Sequence, residues 1–225
     1  MEAGPTAAPN KCVSPCFGPG FASRQLTARR NPLASPKMST SAPAAKNKCW
    51  TDEELEALPK DGYKHELLDG ELIMSPVHAN HGLVCMRLGA LLFNFVQGRK
   101  LGEVYDSSTG FRLADNLLLS PDIAFASKAR LKKILIAPDQ FLQGAPDLVV
   151  EVLSPSDRLA QINRKLDHYF EHGTRLAWLV NWRKAQVHVY TPDSIEAFTR
   201  PHDVLTGGSV LPGFKCRLSR IFGPA

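Results

Sequence analysis

Glu151 stands inside the run DLVVEVL (147–153), which is otherwise almost entirely aliphatic. A carboxylate in such a strand is costly to bury unless it meets a cation or a hydrogen-bond donor. Asp122 has a comparable setting, as the acid in the middle of SPDIAF, a second aliphatic stretch. If the two stretches are neighbouring strands, both carboxylates can converge on one divalent cation. Mg2+ typically takes one or two carboxylates and leaves its other positions to water and phosphate oxygens. An ion so held lowers the pKa of a bound water and stabilises charge on a phosphodiester. Lys165 lies in the next segment, four residues before Tyr169, so the two share one face of a helix. A lysine aimed at the ion steadies the attacking hydroxide or the charge of the transition state. Each residue also has a plainer reading: the acids as partners of a neighbouring base, Lys165 as a solvated helix lysine.

These side chains depend on the elements that carry them. The aliphatic run around Glu151 predicts a central strand buried on both faces. Ser154, Pro155 and Ser156 break it, and Ser156 or Asp157 can cap a helix whose apolar stripe is Leu159, Ile162, Leu166, Tyr169 and Phe170. Lys165 borders that stripe, and Gly173 stops the helix. Two strands follow, at 175–180 and 186–190, and the chain ends in LPGFKCRLSRIF, read as a turn and a short helix. Upstream, Thr51 and Glu54 form a capping-box pattern. Asp69-Gly70 between two apolar runs predicts a hairpin. Val84, Leu88, Leu91, Leu92, Phe95 and Val96 recur at helical spacing from about Asn80, with Gly98 placed to close the helix. Strand-like stretches at 103–105, 109–113 and 117–125 precede a short basic helix at 128–133.

The net charge of +5 is unevenly spread: residues 1–48 carry seven basic residues against Glu2 alone, which leaves residues 49–225 slightly acidic. A globally basic nucleic-acid binder is therefore not indicated, and any basic surface on the folded part must be local. Residues 1–48 are rich in Pro, Ala, Gly and Ser, without periodicity, and are read as a disordered extension to a domain at 49–225. That extension fits an organelle transit peptide, a plain flexible tail, or a start at Met38. The five cysteines are odd in number and lack zinc-ligand spacing, which points to a reducing, cytoplasmic setting. No apolar run approaches the ~18 residues of a membrane span.

From about Tyr63 to Phe222 the chain resembles the Uma-type family of putative restriction endonucleases, a branch of the PD-(D/E)XK nuclease superfamily. The resemblance rests on YKHELLDGELIMSP, the HG at 81–82, TGFRL, SPDIAF, FLQGAPDLVVEVLSPSD, RKLDHYFEHG and LAWLVN, in that order. It implies a restriction-endonuclease-like α/β core, a mixed central sheet flanked by helices, with an N-terminal β-hairpin. It places the PD acid on Asp122 and the (D/E)XK acid on Glu151. Leu153 stands where the parent motif has lysine, and the resemblance transfers that role to Lys165. Glu66 and His81 match recurrent family positions and are expected, with Tyr169, to support the site. Asn181 ends LAWLVN where relatives carry Asp.

The resulting expectation is a Mg2+- or Mn2+-dependent endonuclease acting on DNA, with Asp122 and Glu151 as metal ligands and a homodimer by analogy. The same fold also hosts catalytically silent nucleic-acid-binding or assembly modules. A nuclease acting on RNA fits the same residues.

Overall fold

The computed structural model describes residues 50–58, 63–76, 78–135, 137, 140–155 and 157–223, all within the unit Lys46–Ala225. The expected extension over 1–48 lies outside the described residues. Thr51 and Glu54 close a reciprocal capping box that starts α1 (Asp52–Glu56), with bonds of 3.1 and 3.2 Å. β1 (Tyr63–Leu68) and β2 (Glu71–Pro76) pair antiparallel about Asp69-Gly70. Both turn residues have positive φ, 53° and 80°, as a two-residue hairpin of this twist requires.

α2 (Ala79–Arg99) buries Val84, Leu88, Leu92 and Val96, one per turn. It runs through Gly98 and ends where Lys100 turns left-handed at φ 53°. This helix is long and apolar enough, by length and composition, to cross a membrane, contrary to the expectation from the sequence. Here its buried stripe packs against a sheet instead, each side chain contributing about 1.5–3 kcal/mol.

β3 (Gly102–Asp106), β4 (Phe111–Ala114), β5 (Leu117–Leu119) and β6 (Ile123–Ser127) follow, then α3 (Lys128–Ile134), capped by Ser127. The expected single strand at 117–125 is thus two strands in different sheets. Ser120, Pro121 and Asp122 make the crossing, where proline has no N–H for a ladder and Asp122 uses its carboxylate instead. β7 (Leu142–Gln143) leads to β8 (Leu148–Val152), α4 (Leu159–Glu171) and β9 (Leu176–Asn181). β10 (Gln186–Tyr190), β11 (Ile195–Phe198), β12 (Val204–Gly207), β13 (Leu211–Arg217) and α5 (Leu218–Phe222) complete the chain. LPGFKCR is therefore a strand and not a turn.

One sheet has the order β2-β1-β5-β4-β7 and the other β11-β10-β9-β8-β6-β3; β12 and β13 form a separate ribbon. β8 lies in the interior of the six-stranded sheet, parallel to β9 and antiparallel to β6. Its residues alternate faces as a strand must. Leu148, Val150 and Val152 join the core beneath α2, β13 and α5. Val149 joins the opposite core with Ile162, Leu166 and Tyr169 of α4 and Leu68, Leu117 and Leu119 of the smaller sheet. Glu151 belongs to that second face. Leu159, assigned to the stripe from sequence, is 63% exposed.

Candidate active site

Glu151 is placed by β8 and Asp122 by the strand beside it. β6 and β8 pair with Ile123 opposite Val150, so one further step along the ladder sets Asp122 opposite Glu151. Asp122 precedes β6 and does not lie within it, which corrects the sequence reading. Its Oδ2 accepts the N–H of Val152 at 2.7 Å, tying it to the far end of β8. Both acids are buried and line one pocket of about 90 Å³, together with Lys64, His81, Cys85, Asp157 and Lys165.

Lys165 is buried too, not solvated. α4 runs back over the sheet, so the ammonium reaches Glu66 Oε2 at 2.5 Å and Glu151 Oε2 at 3.9 Å. Glu66, on β1, also accepts the N–H of Ser120 at 2.9 Å, which fixes it in the crossing between the sheets. Tyr169, one turn after Lys165, donates its hydroxyl to Glu151 Oε1 at 3.1 Å. His81, in the first turn of α2, meets Asp122 Oδ2 through Nε2 at 3.1 Å. The structure brings together all six residues singled out from sequence: Asp122, Glu151, Lys165, Glu66, His81 and Tyr169.

It adds Lys64, whose ammonium lies 3.2 Å from Asp122 Oδ1 and 3.9 Å from Glu66 Oε2. The available signal was the strand alternation of Lys64 and Glu66, which puts both on one face of β1. It also adds Cys85, one helical turn after His81, with Sγ 3.5 Å from Nδ1. Asp157 serves the turn before α4, accepting the N–H and hydroxyl of Ser154 at 2.7 and 2.9 Å. It does not cap that helix, whose N-cap residue is Arg158. Asn181 accepts from the N–H of Lys184 and shapes the turn into β10.

The charges are interdependent. Burial pushes Glu151 up to about 7, a tendency that Lys165 and Lys64 oppose and Asp122 and Glu66 reinforce. Burial also acts against the charge on Asp122, yet Lys64 and His81 hold its carboxyl well below the usual range. His81 resists burial through its bonds to Asp122 and Cys85 and is raised to about 10. Lys64 and Lys165 are both raised, the neighbouring carboxylates outweighing burial. Burial lifts Tyr169 well above its ordinary range, so its hydroxyl stays a donor.

This donor set fits a divalent cation. Two carboxyl groups face one another across adjacent strands, and a cation can displace the proton that burial leaves on Glu151 and the one on His81. The pocket has room for an ion and two or three waters, each water occupying ≈ 30 Å³ of liquid. Oxygen donors suit Mg2+ or Mn2+. His81, Cys85 and Asp122 also bring one donor each within 4.8 Å of one another, a mixed set open to softer metals. The pocket is too small for a nucleotide. It adjoins a groove of about 510 Å³ that shares Gly82, Cys85, Ser107 and Asp122 with it and continues past Met86 and Phe93.

The family described as "Uma2: Putative restriction endonuclease" matches residues 52–219. A crystal structure of a putative nuclease belonging to DUF820 from Anabaena variabilis ATCC 29413 superposes with a TM-score of 0.66. The two share 20% sequence identity over 76% of this chain and 96% of that one, a likeness of fold. No curated protein matches the chain.

Proposed function

The chain belongs to the Uma2 family of putative restriction endonucleases, and from that premise we propose that it is a metal-dependent endonuclease hydrolysing phosphodiester bonds in DNA. The observation that carries this reading is the meeting of Asp122, Glu151 and Lys165 in one buried pocket, from three separate segments of the chain. A site that had lost its chemistry would have no reason to keep two acids and a lysine buried at the cost of desolvation.

Asp122 and Glu151 would hold the cation, with His81 beside Asp122. A bound Mg2+ or Mn2+ supplies Lewis acidity toward a phosphodiester oxygen and a water acidic enough to attack near neutral pH. Lys165, pinned by Glu66, presents a fixed ammonium to the pocket and orients the attacking water or a phosphate oxygen. Tyr169 holds Glu151 in position through Oε1. Lys64 neutralises Asp122 and, being nearest to solvent of the two lysines, meets the incoming phosphate. The adjoining groove admits a substrate too large for the pocket itself.

The test is cleavage of supercoiled plasmid in Mg2+ or Mn2+, with Glu151→Ala in parallel. Nicked or linear product from the wild type alone supports the reading. Absence of product from the wild type with either metal and with both DNA and RNA substrates overturns it.

A further inference from the structure

A second group of metal-ligating side chains lies at the C-terminal end of α4, and none of them lines the pocket. His168, Glu171 and His172 follow the helical spacing i, i+3, i+4, so all three project from one face. One donor atom from each lies within 4.8 Å of the others. His168 is partly buried, with its side chain 22% exposed, while Glu171 is 66% exposed and free to adjust.

In the neutral rings, the hydrogen bonds fix which nitrogens carry lone pairs. His168 Nε2 lies 2.7 Å from Asp69 Oδ1, an atom that can only accept, so the proton sits on Nε2. His168 Nδ1 is then the lone-pair nitrogen. It is enclosed and has no hydrogen-bond partner among the described residues. It faces Glu171 Oε2 at 3.3 Å, so with the ring neutral two lone-pair atoms converge on one point. His172 Nδ1 lies 2.8 Å from the carbonyl oxygen of His168 and must donate to it, which leaves Nε2 with its lone pair.

A histidine that ligates a metal commonly donates its other ring N–H to a carboxylate or a carbonyl, which sets the tautomer and strengthens the donor. Both arrangements are already present here, Asp69 behind His168 and a main-chain carbonyl behind His172. Asp69 is itself held by Arg164, one turn before His168.

We propose that His168, Glu171 and His172 form a second metal site, selective for a borderline transition-metal cation such as Zn2+ and separate from the nuclease pocket. Two imidazoles and one carboxylate suit Zn2+ and leave a fourth position for water. Mg2+, which demands oxygen ligands, is excluded by the same donors. The bound ion would brace α4, through His168 and Asp69, against the β1–β2 turn. Those are the two elements that supply Lys165 and Glu66, so the site is a structural clamp behind the pocket.

The experiment is isothermal titration of Zn2+ into the full chain in excess Mg2+, beside His172→Ala and Glu171→Gln. Any zinc held elsewhere contributes equally to all three and cancels. The expected result is one fewer equivalent bound by His172→Ala and at least tenfold weaker binding at that site by Glu171→Gln. A zinc-dependent rise in Tm should be reduced in both. Long-range 1H–15N spectra of the metal-free protein should show the Nε2–H tautomer for His168 and Nδ1–H for His172, with the 15N resonance of His168 Nδ1 moving on zinc addition. Equal stoichiometry in all three proteins, or a doubly protonated His168 at pH 7.5, would overturn the proposal.

Discussion

Lys165 and Glu66, ninety-nine positions apart in the chain, meet at 2.5 Å between Nζ and Oε2 in the buried interior. The lysine is therefore structural as well as a candidate for the proposed chemistry. Its expected consequence for mutation differs from that of a surface lysine.

Lys165→Ala should reduce plasmid cleavage by at least ~10²-fold, the range for loss of a positioned electrostatic group. It should also lower stability by about 3 kcal/mol or more, because Glu66 loses its nearest counter-charge. The pair Glu66→Gln with Lys165→Met removes both charges and should recover most of that stability without recovering cleavage. Denaturant titration and a cleavage assay on the three proteins check this. Wild-type-like cleavage by Lys165→Ala would exclude the residue from the mechanism.

Glu151 makes the metal-free protein less stable as pH rises. Its pKa is about 7 in the folded chain, where burial penalises the anion, against roughly 4.3 when unfolded. Between those values the folded state holds a proton that the unfolded state releases, so stability falls as pH increases. Glu151→Gln should abolish this fall and leave the metal-free variant more stable at pH 8 by up to about 3 kcal/mol. The same variant should bind Mg2+ at least ~10-fold less tightly, since a carboxylate ligand is lost. In the wild type, Mg2+ affinity should rise with pH up to about 7, as the proton on Glu151 is displaced. An unchanged pH–stability curve in the variant would assign the effect to another group.

Tyr169→Phe removes the donor from Glu151 Oε1. With the anion less well solvated, the acid limb of the pH–rate profile should move upward. The plateau rate should fall far less than the ~10²-fold typical of removing an acid–base group. A large loss at the plateau with an unmoved acid limb would instead give the hydroxyl a direct part in the reaction.

Asp147 supports the fold just before the N-terminal end of β8. It accepts the N–H of Ser127 at 2.8 Å and lies 3.3 Å from both Arg130 and Arg175. Burial raises the cost of its charge, but those donors hold its carboxyl below the usual range. Its contribution is thus present above about pH 3.9 and lost as pH falls through the folded value. Asp147→Ala should cost about 2–3 kcal/mol at pH 7, by loss of charged hydrogen bonds. Mg2+ affinity should not change, and a marked loss would show that the two ends of β8 are coupled.

Much of this arrangement could be read from the sequence where the signals were local. Asp69-Gly70 marked the hairpin, the stripe from Val84 to Val96 marked α2, and an acid in the interior of DLVVEVL marked Glu151. What escaped was non-local or exposed to solvent. Lys64 finds Asp122 fifty-eight positions away, and no spacing rule connects them. β13 was hidden by Pro212 and Gly213, which read as a turn. Both are exposed on a strand paired, among the described residues, only with β12, a place where proline is tolerated. Its alternation shows only in its last four residues, with Phe214 and Cys216 buried and Lys215 and Arg217 exposed. The break at Ser120–Asp122 was masked because aliphatic residues continue on either side of it while the chain changes sheets.

The placement of Asp122 opposite Glu151 makes sheet register a condition of chemistry. A one-residue slip of β6 against β8 would turn Asp122 toward the face of α2, out of reach of Glu151, while leaving much of the strand's aliphatic character able to pack. Such a chain would be folded yet inert. The bond from Val152 N–H to Asp122 Oδ2 works against that outcome, since it forms only in the correct alignment. The acid that would hold the cation thus also proofreads the strand pairing, so the proposed cutting ability would be confined to molecules whose sheet is correctly assembled.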